Sequence, residues 1–285
     1  MLGRQTTGSV VCVSCGYLVG VNDGQCYNCG RRNPGLWGYA AAVRRMGSDL
    51  GFIPFVVGLS VVMYVLMLIG SRGEIMGGSL FSLISPNTTN LLLFGASGAV
   101  PVFVLDRWWT VLSATWLHAG LLHIFFNMYW VRQIGPAVAD LYGPGRLVII
   151  YTVSGVAGFV LSSFAGAYFQ FMPFRALQGA QLTVGASASI FGLFGALVYY
   201  GRRTGSSETY RMATQYVLMM FVFGLIMPGI DNYAHAGGFA GGYVASRLLD
   251  PLAPERVNHM VWALVCLVLS VLSIVASVVH GLMLG

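Results

Sequence analysis

Ser187, in the stretch Gly185-Ala186-Ser187-Ala188, and His235, in Asp231-Asn232-Tyr233-Ala234-His235-Ala236-Gly237-Gly238, are polar residues set in otherwise apolar sequence. A hydroxyl becomes a useful nucleophile when a neighbouring base takes its proton, and imidazole is the side chain best suited to that task. A third polar group, His118, His123 and Asn127, interrupts another apolar stretch. The remaining chemistry lies near the N-terminus, where Cys12, Cys15, Cys26 and Cys29 form two C-x-x-C-G units with ten residues between them. Each unit can fold as a tight turn that aims two thiolates at one point, and two such turns supply four sulfurs for tetrahedral zinc. A domain this small builds little hydrophobic core, so the metal would supply most of its folding energy. Two disulfides are the other outcome, and they require an oxidising compartment.

The elements that must position these residues are membrane spans. Of the 285 residues, 56% are hydrophobic and only 8% charged, whereas soluble domains carry about 25% charged residues. From Gly51 onward seven apolar stretches approach the roughly 20 residues that cross a bilayer. They run over 51–70, 110–134, 146–170, 184–201, 212–229, 231–248 and 259–282. The first begins too late for a secretory signal peptide. The formal net charge of +6 does not imply a nucleic-acid partner, because all fifteen basic residues are arginines scattered along the span flanks. With the N-terminus inside, Arg44, Arg45, Arg132, Arg146, Arg202, Arg203, Arg211, Arg247 and Arg256 fall on the inner side. Only Arg72, Arg107 and Arg175 fall outside. The excess predicts a cytosolic N-terminus and an external C-terminus, and a reducing environment for the four cysteines.

Depth ties the polar residues together. At 1.5 Å per helical residue, Ser187 lies about 22 Å from the level of Arg202, and His235 about 18 Å from that of Arg247. Asn127 lies about 20 Å from Asp140 on the same scale. In a hydrocarbon core of about 30 Å, all three sit roughly 10 Å beneath the outer face. Gly237 and Gly241, with Gly238 and Gly242, make a small-residue face below His235, and Gly185, Gly192 and Gly195 thin the helix after Ser187. Close packing of those two helices would bring the serine hydroxyl within reach of the imidazole.

At these residues the chain resembles the rhomboid family of intramembrane serine proteases. Trp108 through Asn127 reads W-W-x-x-L-x-x-x-W-L-H-A-G-L-L-H-x-x-x-N, similar to that family's second-span signature. Gly185 through Gly192 is similar to its nucleophile motif, and Ala234 through Gly242 to its histidine motif. The resemblance implies an all-α membrane fold: a six-helix core over 51–250, then a loop and a seventh span over 251–285. Ahead of these stand a zinc-ribbon-like domain over 1–40 and a linker over 41–50.

The resemblance also implies Ser187 as nucleophile and His235 as base in a dyad, with no catalytic cofactor. His123 and Asn127 would stabilise the oxyanion, Phe191 would pack on the imidazole, and His118 would hold the connection before the second span. Substrates would be single-span membrane proteins in the bilayer of a prokaryotic inner membrane, and the ribbon would contact a protein partner. The alternative is a non-catalytic relative that binds client helices. Two residues depart from the pattern: Ala188 follows the nucleophile where glycine is usual, and Thr110 stands where arginine is common, with Arg107 nearby. Cys266 reads as a buried small side chain, His280 as an interfacial residue, and Met219, Met220 and Met227 as adaptable packing where substrate enters.

Overall fold

The computed structural model describes residues 3–71, 83–174 and 177–284. Arg72 and Arg175, two of the three outer-flank arginines, lie outside the described residues. A short hairpin comes first, strands β1 (Ser9–Val11) and β2 (Leu18–Gly20), paired antiparallel with Val10 opposite Val19. Helix α1 (Ala40–Arg45) leads into α2 (Phe52–Gly70). Asp49 starts α2 by accepting the Ile53 N–H at 2.7 Å. Then come α3 (Thr88–Phe94), α4 (Thr110–Ser113), α5 (Leu121–Tyr142) and α6 (Pro144–Tyr168). The chain ends with α7 (Ser187–Thr204), α8 (Ser207–Ile226), α9 (Asn232–Leu248) and α10 (Val257–Leu284).

A helix stands at each of the seven expected places, but the second differs from the sequence reading. It starts at Leu121 rather than Thr110 and runs through Pro136 to Tyr142. The piece Thr110–Trp116 meets it at 90°. The break falls where Leu117 is extended and Gly120 takes φ 171°, ψ 161°, so His118 sits in the bend and not in the span. Helices α2, α6 and α10 are each long and apolar enough to cross a membrane, and the bent pair makes a fourth candidate. Helix α7 does not need that apolarity. Every residue from Ala188 to Val198 is buried against other helices, so its solvent is protein rather than lipid.

The close approach of α7, α6 and α9 sets the architecture. A Cβ on Gly238 would lie 2.1 Å from the Ala188 carbonyl oxygen, and one on Gly242 would lie 2.1 Å from that of Gly192. The other pair faces elsewhere: a Cβ on Gly237 or Gly241 would collide with Ala157 of α6. Thus α9 carries two glycine faces for two neighbours. Without lipid-expelling hydrophobic force, such backbone-level packing is what holds membrane helices together.

Helix α10 is built into this core through two buried arginines. Arg107 donates to the carbonyls of Leu92 and Ser277, each at 2.8 Å. Trp109 donates to the Ser277 hydroxyl, and its ring meets His280 edge-on. At the other end Arg146 donates to the carbonyls of Ala253 and Pro254 and to His259 Nδ1. Glu255 accepts the Arg146 backbone N–H, and burial pushes its carboxyl up. Arg107 and Arg146, which stand among the flank charges in the sequence, are interior ties in the fold, since a guanidinium can satisfy several otherwise unpaired carbonyls at once.

Replacing Gly242 by valine drives a branched side chain into Gly192, so Gly242→Val should destabilise the protein by at least the about 1–3 kcal/mol typical of overpacking. Thermal unfolding in detergent should show a lower midpoint; an unchanged midpoint would remove the glycine contact as the organising feature.

Candidate functional site

Ser187 occupies the first turn of α7, where the leading backbone N–H groups have no intrahelical partner. The turn before it is pinned on several sides. Gly185 donates its N–H to the Ala114 carbonyl at 2.9 Å, and Thr183 exchanges two backbone hydrogen bonds with Ser97. The Ala186 N–H points to His118 Nε2 at 3.5 Å. Gly185 itself needs to be glycine: its φ is +130°, and a Cβ there would lie 2.6 Å from His123 Nε2.

His235 stands one turn into α9, with only 7% of its surface exposed. Its Nε2 lies 3.0 Å from Ser187 Oγ. The Phe191 ring, one turn below the serine, stacks on the imidazole with centroids 4.1 Å apart and planes 12° apart. The His235 Nδ1 has no partner, carboxylate or other, among the described residues. Gly238 and Gly242 let α9 touch α7 just below this level.

His123 faces the same turn. Its Nδ1 accepts the Ala119 N–H at 3.4 Å, which assigns the proton of the neutral ring to Nε2, the nitrogen aimed at Gly185. Its ring meets that of His118 edge-on at 5.2 Å. Asn127, one turn further along α5, donates its Nδ2–H to the carbonyl of His123 at 2.8 Å. Ser189 turns away and donates to the Tyr151 carbonyl. Ala188 is accommodated on the side of α6. Its methyl packs where Gly158 has none, and a Cβ on Gly158 would lie 2.7 Å from it. One residue quoted in the sequence without a role is Asp231, whose Oδ1 caps α9 through the Ala234 N–H at 3.0 Å. An aspartate three residues before Ala234 is a readable capping signal, but its partners on other elements are visible only in the fold.

The four N-terminal cysteines converge. Their sulfurs all lie within 4.8 Å of one another, Cys12 3.8 Å from Cys29 and Cys15 3.6 Å from Cys26. A disulfide requires about 2.05 Å, whereas tetrahedral ligands at about 2.3 Å from zinc stand roughly 3.8 Å apart. The donor set therefore fits zinc. The Tyr17 N–H is the main cause that pulls the Cys15 thiol down to about 6. Cys29 goes the other way: although the Arg31 N–H favours its thiolate, hydrogen bonds shared with Cys15, Cys26 and Cys12 and desolvation push it up to about 11. Such crowded thiols ionise together only around a cation, and a bound metal would supply that charge.

A polytopic helical protein with a serine and a histidine paired across glycine-thinned helices is the class that this fold and site define. The Rhomboid domain family model matches residues 105–252. The chain is 30% identical over 235 residues to Rhomboid protease GluP of Bacillus subtilis (strain 168), an alignment that covers 81% of this chain and 41% of that protein. It is 32% identical over 173 residues to RHOMBOID-like protein 7 of Arabidopsis thaliana, covering 59% and 51%. It is 26% identical over 188 residues to Rhomboid-like protease 3 of Toxoplasma gondii, covering 64% and 63%. The chain belongs to the rhomboid family and is a multi-pass membrane protein. It spans between about two-fifths and three-fifths of the length of these curated relatives.

Metal analysis of the purified full chain should find about one zinc per chain, lost on substitution of Cys12 and Cys26 by serine. A strong chelator should release it and leave the helix content of the membrane core intact. Thiols found oxidised, with no metal, would exclude the ribbon reading.

Proposed function

We propose that this protein is an intramembrane serine endopeptidase that cuts transmembrane segments near the outer face of the membrane. The observation that carries the reading is the 3.0 Å contact between Ser187 Oγ and His235 Nε2. Nε2 removes the hydroxyl proton as Oγ bonds to the scissile carbonyl carbon, giving a tetrahedral oxyanion. The C–N bond then breaks and the imidazolium gives its proton to the leaving amine. Water, deprotonated by the same nitrogen, hydrolyses the acyl-enzyme and restores the serine. The His235 ring must carry its resting proton on Nδ1 for this role, and the Phe191 stack fixes its plane without a third catalytic residue.

The His123 Nε2–H and the backbone N–H of Ser187 are the donors proposed for the oxyanion, with the second amide hydrogen of Asn127 beside them. The Ala188 methyl does not compete for that space, because it packs over Gly158. Catalysis uses no cofactor in this reading, and the zinc module over 1–40 serves a regulatory or docking role on the cytosolic side. The six-helix core over 51–250 performs the chemistry, and the loop and last span over 251–285 brace it.

Single-span membrane proteins are the proposed substrates. A helical substrate has its backbone hydrogen bonds satisfied, so it must unwind locally before a peptide carbonyl can reach Ser187. The entry side proposed is α8, which buries only Ala213 and Gly224 and meets α5 through the rings of Tyr216 and Trp130. Met219 and Met220 on that helix can repack as it shifts.

A fluorophosphonate probe should label the wild-type protein at Ser187 and fail on Ser187→Ala and His235→Ala. Loss of one oxyanion donor typically costs about 10²–10³ in kcat, so His123→Ala should cut reporter cleavage by about that factor. Equal labelling of wild type and Ser187→Ala would sink the protease reading.

A further inference from the structure

The carboxylate of Asp231 is more heavily used than a helix cap requires. A cap needs one acceptor for a backbone N–H in the first turn. Here Oδ1 accepts the Ala234 N–H and Oδ2 accepts the hydroxyl of Ser162 on α6. The Asp231 carbonyl accepts the His235 N–H at 3.1 Å. These donors are uncharged, and they come from two different helices.

Those donors reach both members of the pair. Ala234 is the neighbour of His235, and Ser162 belongs to α6, whose Gly158 faces both the Ala188 methyl and the Ala234 carbonyl. A shift of this one carboxylate therefore moves the start of the helix that carries the base relative to the helix that packs beside the nucleophile. We propose that Asp231 is the positioning residue of the Ser187–His235 pair, a cross-link that sets their separation without touching either side chain. The proposal rests on the protease reading for its catalytic consequence, but not for the cross-link itself.

Asparagine separates the two roles. It caps helices as well as aspartate does, and so keeps an acceptor for the Ala234 N–H. Its amide nitrogen, however, presents hydrogens where the second carboxylate oxygen now accepts the Ser162 hydroxyl proton. The full chain in detergent would be compared as wild type, Asp231→Asn, Ser162→Ala and the double variant. Three quantities would be followed: thermal midpoint, hydrogen exchange of residues 182–188 and 232–236, and the rate of fluorophosphonate labelling at Ser187.

The expected result is an Asp231→Asn protein with a near-wild-type midpoint, faster exchange in both segments and labelling slowed at least tenfold. Ser162→Ala should slow labelling as well, and the double variant should be no slower than Asp231→Asn alone, as for two members of one link. Wild-type labelling and exchange in Asp231→Asn would reduce the residue to a cap and overturn the proposal. So would a double variant whose slowing is the product of the two single effects. If wild type does not label while Asp231→Asn loosens both segments, the cross-link stands and the protease reading fails.

Discussion

Everything in the membrane core depends on how closely α7 and α9 approach. Their backbones meet at Gly192, Gly238 and Gly242, with no room for a single carbon. In lipid no hydrophobic force presses helices together, so contact must come from dispersion and shape at short range. The serine hydroxyl is a short side chain, and it reaches an imidazole on another helix only because the two main chains nearly touch. Glycine here is a distance setting, and the other elements are arranged so that nothing intrudes on it.

The surrounding pieces act on the turn before Ser187. That turn has irregular backbone at a depth where unpaired N–H and C=O groups are expensive. Ser97, Ala114 and His118 supply partners to it, and Gly166 accepts from the Gln181 side chain at 2.7 Å. A turn pinned in this way matters to the proposed chemistry because a nucleophile misplaced by an ångström loses most of its rate. The segment that provides these partners is itself held by Arg107 and Trp109 against α10. The last helix thus belongs to the support of the site as much as the six before it.

Much of this was legible in the sequence, and for physical reasons. Apolar stretches of bilayer length marked the seven helices, and polar residues within them marked the candidate site, since burying them idly is costly. Counting rise per residue placed Ser187 and His235 at one level. Other features were hidden because they are set by tertiary partners. Nothing in the apolar run 110–134 shows the right-angle bend at Leu117–Gly120, and that run stops short of Tyr142, where α5 ends. Arg107 and Arg146 look like flank charges until the carbonyls they hold are known. The two glycine pairs of α9 read as one face, because sequence spacing does not say that α6 and α7 approach from different sides.

The tie between Arg107 and Ser277 joins residues 170 apart in the chain. Membrane helices are made and inserted in order, so the guanidinium waits for one of its two acceptors until α10 emerges. Until then the segment that braces the Ser187 turn is fastened at one end only. Order of synthesis thereby enters the architecture: the frame around the hydroxyl and imidazole closes only after the ribosome has made α10.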